Sequence, residues 1–202
     1  MDETKALPNY LMYFILTQLE NTVGKNGVKV ILKYSKLDRI IDNYPPNDFN
    51  MGEPLVTFFS IISSLMDIYG EKGYRSLLRG VGKNSFNSMI QELPWLFGLG
   101  EIEYDDFAPV DRYPLLYKTF VNNLNKVIEA KTTLEISPNQ VVDIAHNCMW
   151  CTGLKASGPI CIFTEDFFKA MANWSGVFDI TVVETHCCAC GDPYCRFVST
   201  FS

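Results

Sequence analysis

An α+β fold, an antiparallel sheet with helices packed on it, is the expectation for this chain, and three features lead to it. Up to about residue 104 the apolar residues recur at helical spacing. Between residues 132 and 200 the period shortens to that of strands, in runs bounded by turn residues. Near the end, Gly191-Asp192-Pro193 is a turn signal between two such runs, which marks a closing antiparallel pair. With 202 residues the chain can bury a core without disulfides, and it is read as a single domain, 1–202, with a mainly helical part, 1–104, and a mixed part, 105–202.

The elements follow in order. Residues 8–21 carry Leu11, Ile15 and Leu19 on one helical face, and residues 23–41 continue in shorter pieces punctuated by Gly24 and Gly27. Pro45-Pro46-Asn47-Asp48 is a break. Pro54 then opens a helix through Leu55, Phe58, Ile62, Leu65 and Tyr69 that Gly70 ends, apolar over so much of its girth that it should be central. Residues 74–93 form another helical stretch, stopped by Pro94. Asp111 as N-cap and Pro114 in the first turn start a helix with Leu116, Phe120, Leu124 and Val127 on one face. Strands are expected at 132–136, 140–145 and 160–163, a crossing helix at 166–173, and the closing pair at 178–184 and 195–200.

Charge and cysteine usage narrow the function classes. A formal net charge of −6, with no run of Lys or Arg, argues against direct nucleic-acid binding. The apolar stretch 10–16 is far short of the roughly 20 residues that span a bilayer. An odd cysteine count and an acidic start, Met1-Asp2-Glu3-Thr4-Lys5, point to a reducing, cytoplasmic location. No Ser-centred elbow or phosphate-cradling loop is present, and Gly80-Val81-Gly82-Lys83 lacks the other P-loop residues, so the sequence assigns no catalytic residue.

Six of the seven cysteines fall after residue 150, and four of these lie between Cys187 and Cys195. Thiolates and carboxylates gathered by a turn suit a soft divalent metal. A hairpin centred on Gly191 sets Cys187 opposite Cys195, and Glu184 can share a ligand with Cys187 only if the strand bends between them. A fourth donor must come from elsewhere, and Cys161 stands on what should be a neighbouring strand.

The pattern Cys148-x2-Cys151, Gly158-Pro159-Ile160-Cys161, then Glu184-x2-Cys187-x3-Gly191-Asp192-Pro193-x-Cys195 resembles the 4-vinyl reductase domain family of small-molecule-binding proteins, over roughly residues 105–200. In its phenol- and toluene-sensing regulators a cysteine, a glutamate and two further cysteines hold zinc. The resemblance puts that site on Cys161, Glu184, Cys187 and Cys195, which implies a zinc-stapled C-terminal hairpin. It also implies an apolar pocket for a hydrophobic, aromatic or tetrapyrrole ligand, homodimerisation, and a sensor role without a fused ATPase or DNA-binding domain. Three thiolates and a carboxylate close a tetrahedral shell, so such a zinc would staple strands and leave no coordination site for catalysis.

Other readings of the same residues stand beside this one. Cys148-x2-Cys151 with Cys187-x2-Cys190 forms a ribbon-like double pair, though its interval is longer than the usual, about 15 to 20 residues. Cys148-Met149-Trp150-Cys151 alone has the spacing of a redox dithiol, and Cys188 and Cys190 are spare thiols or chromophore attachment points. His186 is a rival ligand, while His146 and Trp150 are either loop packing or ligand contacts. With 48% hydrophobic and 13% aromatic residues, the interior is either a filled core or a ligand cavity. The alternative functions are an enzyme or accessory protein in tetrapyrrole metabolism, or a non-catalytic scaffold related to vesicle-tethering subunits.

Overall fold

The computed structural model describes residues 5–128, 131–151 and 153–202. The acidic start at 1–4 therefore lies outside the described residues. A short strand, β1 (Ala6–Pro8), leads into α1 (Asn9–Tyr34), and β2 (Met51–Pro54) pairs antiparallel with β1 before α2 (Leu55–Glu92). Next come α3 (Pro109–Ile128), the strands β3 (Thr132–Ser137) and β4 (Gln140–Ala145), then α4 (Ile162–Trp174), β5 (Ile180–His186) and β6 (Cys195–Phe201). The last four strands form one antiparallel sheet in the order β3-β4-β6-β5. The α+β class with an antiparallel sheet and a helical first half is what the periodicities indicate.

Glycine sets the shape of both long helices. Gly24 (φ 75°) and Gly70 (φ 64°) leave the helical region in α1 and α2, and helix resumes directly after each, so the chain kinks where the sequence reading ends one helix and starts the next. The kink at Gly70 has a structural use. It directs Glu71, Tyr74 and Arg75 at the segment 147–161, where Tyr74 Oη donates to the Trp150 carbonyl (3.2 Å), Ser157 Oγ donates to Glu71 Oε2 (3.2 Å), and the Arg75 guanidinium donates to the Pro159 carbonyl.

Two expectations are corrected, and one strand pairing had not been foreseen. Residues 160–163 are not a strand: Ile160 and Cys161 are irregular and α4 already begins at Ile162, since Cys161 N–H is taken by a side-chain carboxylate and no strand partner is available. Asp111 lies inside the first turn of α3 and does not cap it, because the helix begins at Pro109, whose ring suits a first helical position. The pairing of β1 with β2 has no counterpart in the sequence reading, as three- and four-residue strands leave no period to detect.

α2 packs closely on α4. A Cβ at Gly82 would fall inside van der Waals contact of the Phe163 carbonyl, so only glycine permits this approach. Replacing it with alanine, Gly82→Ala, should destabilise the protein by about 1–3 kcal/mol, despite the gain of ~1 kcal/mol that alanine ordinarily brings to a helix. Urea unfolding of the variant against the wild type checks this.

Candidate metal centre and ligand cavity

Three segments converge at the end of the sheet beside α4. The closing pair β5–β6 carries an irregularity between Glu184 and His186, so Thr185 is the extra residue and the chain bends where Glu184 and Cys187 require it. A single 3₁₀ turn, Cys188–Cys190, then reverses the chain, held by Cys187 N–H donating to Asp192 Oδ2 (2.8 Å) and Cys190 N–H donating to the Cys187 carbonyl (2.9 Å). The segment 147–161 crosses this hairpin and is pinned to it by Ala156 N–H donating to the Ala189 carbonyl (3.0 Å). Cys161, immediately before α4, completes the junction.

Six donors meet there, all buried. Cys161, Glu184, Cys187 and Cys195 offer ligand atoms within 4.8 Å of one another, and Cys148, Cys151, Cys161 and Cys195 do the same. Sulfur–sulfur distances are 3.5 Å for Cys148–Cys161, 3.3 Å for Cys151–Cys195 and 4.0 Å for Cys161–Cys195. A tetrahedral zinc with Zn–S of about 2.3 Å sets its sulfurs about 3.8 Å apart, so these spacings straddle that of a thiolate site. Cys161 N–H donates to Glu184 Oε2 (2.8 Å), whereas Glu184 Oε1, equally enclosed, accepts no hydrogen bond. Burial pushes the Cys161 thiol and the Glu184 carboxyl above their ordinary pKa values.

The structure thus brings together the four residues of the sequence-predicted set and adds Cys148 and Cys151 to them. It does not gather the double pair: Cys190 is exposed and belongs to neither group. Cys188 lies at the edge, its backbone N–H donating to Cys195 Sγ (3.3 Å) and its thiol raised to about 11 by burial. His146 and His186 sit near the turn with their rings 6.0 and 5.5 Å from Tyr194.

A mainly apolar, partly open cavity of about 150 Å³ adjoins the cluster, bordered by α1, α2, α3, α4 and the sheet. Cys148, Met149 and Trp150 line it, and Cys148 is common to cavity and cluster. Trp150 stacks on Phe163 (centroids 3.7 Å apart) and meets Phe58 edge-on (5.3 Å), and Phe163, Phe167 and Phe120 continue the aromatic lining. His146 is not part of the described lining.

One lining residue was not singled out from the sequence. Asp143 on β4 is buried at the cavity wall, and Tyr117 Oη donates to its Oδ2 (3.3 Å), with Tyr113 alongside donating to Ser199 Oγ (3.0 Å). Its only sequence signal is a charge inside the apolar run Val141-Val142-Asp143-Ile144. Burial pushes the carboxyl up to about 7 from 3.8.

No protein family and no curated protein matches the sequence. Solved structures do match the fold. A mutant H-NOX from T. tengcongensis aligns with TM-score 0.63 at 12% identity, over 97% of this chain and 98% of that one. An H-NOX mutant from K. algicida, in the Fe(II) unliganded state, gives 0.62 at 12% identity, over 97% of both chains. An H-NOX protein from S. oneidensis in the Fe(II)NO ligation state gives 0.56 at 12%, over 94% and 98%. At such identity the likeness is one of fold. It overturns the resemblance to 4-vinyl reductase domains: these neighbours, matched from the first helix to the last strand, are H-NOX domains. The physical reason is that the cysteine motif encodes only a bulged hairpin, which different domains can carry, while the helical half that completes the fold has no such motif.

Asp143 gives the site a pH signature. An acid whose pKa is raised on folding contributes stability that is fully present below the unfolded value, about 4, and lost as pH rises through about 7. Asp143→Asn removes this titration and leaves an acceptor for Tyr117. The stability difference between wild type and variant should therefore change, in the variant's favour, by up to about 1.4 kcal/mol per unit across that window. Parallel slopes in urea unfolding from pH 4 to 8 would contradict it.

Proposed function

We propose that this chain is a small-molecule-binding sensor module, with an apolar ligand held in the cavity and zinc on Cys161, Glu184, Cys187 and Cys195 stapling the wall beside it. The observation that carries the reading is Cys148, which lines the cavity beside Met149 and Trp150 and also belongs to the thiol cluster. Zinc there has a filled shell, so its part is structural, and the chain itself carries no assigned catalytic residue.

The cavity's size and lining indicate the ligand class. About 150 Å³ of aromatic-lined space accommodates a single ring of benzene size. Asp143 is the titratable carboxyl on this wall, which favours a ring bearing one O–H or N–H. Homodimerisation belongs to the same reading. No described helix is long and apolar enough to cross a membrane.

A second reading, a tetrapyrrole ligand, is favoured by the neighbours, one of which concerns heme redox potential and porphyrin distortion and another an oxygen complex. Imidazole-ligated haem does not fit the cavity of this chain. Among the described lining residues there is no histidine to reach iron and no Arg or Lys to meet propionates, and the volume is that of one small ring. No step is therefore assigned to haem.

The purified protein decides between these readings by its metal content, absorption spectrum and the mass of whatever extracts into organic solvent. Zinc with a colourless compound, or with none, agrees with the proposal; a Soret band supports the second reading; absence of metal refutes the staple. Zinc should be lost in Cys195→Ser and kept in Cys190→Ser. Calorimetry should show phenol binding about tenfold more tightly than benzene, as expected for one hydrogen bond. Ala145→Phe, which fills the cavity, should abolish both while leaving zinc in place.

A further inference from the structure

The two donor groups overlap, and their overlap has a definite form. Each contains four donors, Cys161 and Cys195 belong to both, and the remaining residues divide into two pairs, Cys148 with Cys151 and Glu184 with Cys187. We infer that the cluster is a binuclear metal–thiolate centre, in which the thiolates of Cys161 and Cys195 bridge two divalent ions of the zinc class. Cys148 and Cys151 complete the first ion and Glu184 and Cys187 the second. The inference rests on the reading that the cluster binds metal at all.

Donor number supports two ions over one. Two tetrahedral ions sharing two bridges need six protein donors, and six are present, all buried. A single ion in either group would leave two donors of the other buried against its ligands. Cys148 and Cys151 Sγ lie 3.5 and 3.3 Å from the sulfurs of Cys161 and Cys195, within the spacing of a common coordination shell. Glu184 Oε1, enclosed and without a hydrogen-bond donor, supplies an unpartnered acceptor in the other pair.

Charge balance points the same way. Five thiolates and one carboxylate carry six negative charges; one divalent ion leaves four of them in a buried site, two ions leave two. Backbone donors offset part of that remainder, with Cys188 N–H on Cys195 Sγ (3.3 Å) and Cys161 N–H on Glu184 Oε2 (2.8 Å). Assembly requires no oxidation or reduction: each thiol gives its proton to solvent as the metal–sulfur bonds form, and both ions stay divalent. The softness of five sulfurs selects zinc, cadmium or cobalt(II) over magnesium or calcium.

Metal stoichiometry on the full chain, purified with zinc present and dialysed, tests this directly. Two zinc ions per chain are expected. One per chain overturns the binuclear centre while leaving the staple intact, none overturns both, and iron with acid-labile sulfide also overturns it. Cys148→Ser/Cys151→Ser and, separately, Glu184→Gln/Cys187→Ser should each retain one ion. Cobalt(II) replacement gives a readout independent of variant folding. Sulfur-to-cobalt absorption should rise through two equivalents, with the second equivalent quenching the paramagnetic signal of the first through the bridges; saturation at one equivalent, or two uncoupled signals, contradicts the bridging.

Discussion

Everything at the functional end of this molecule depends on one constraint: five thiols and a carboxylate are buried together where three chain segments meet. Such a group is tolerated in a low-dielectric interior when it stays protonated or when cations neutralise it. The neutral state is a poor solution here, because sulfur–sulfur contacts are weak hydrogen bonds and Glu184 Oε1 finds no donor. Metal coordination, as proposed, would satisfy all of these groups at once by joining the segment 147–161, the start of α4 and the β5–β6 hairpin. The bulge at Thr185, the 3₁₀ turn after Cys187 and the irregular backbone at Cys161 are the local departures from regular structure that aim the donors at a common point.

The cavity inherits its wall from this junction. Cys148, Met149 and Trp150 lie in a segment without regular structure, so the position of the Trp150 ring against Phe58 and Phe163 depends on what anchors its neighbours. Tyr74 and Arg75, turned toward the segment by the kink at Gly70, hold it from the α2 side. The cluster holds it from the sheet side. Asp143, in a buried polar pair with Tyr117, gives a mainly apolar lining its carboxyl group. Cys148 lines the cavity and belongs to the thiol cluster, so a change at the cluster is placed to reach the Trp150 ring through two residues of backbone.

Much of the architecture was legible in the sequence because it rests on local signals. The change of period near residue 132, the kinks at Gly24 and Gly70 and the turn at Gly191 are all written in residue type. The meeting of Glu184, Cys187 and Cys195 was legible for the same reason, since they are neighbours on one hairpin. Cys161 was named as a donor but given the wrong element, since a strand and a helix start look alike over Ile160-Cys161-Ile162-Phe163. Cys148 and Cys151 carry a ligand spacing, yet only the path of the segment 147–161 brings them to the same point as the hairpin. Asp143 was hidden because its role is set by burial, which a single charge in an apolar strand does not reveal. The family resemblance failed because it was carried by cysteine motifs between residues 148 and 195, and the fold shared with H-NOX domains is set by the helices as much as by the sheet.

Metal at the thiol cluster, as proposed, would hold together the segment 147–161, the start of α4 and the hairpin, and with them the cavity wall. Hydrogen exchange followed by mass spectrometry, with and without a chelator, addresses it most directly. Chelation should speed exchange in residues 147–163 and 184–197 while the core of α1 stays protected. Unchanged exchange in those two segments after the metal is removed, or a rise spread evenly over the whole chain, would contradict it.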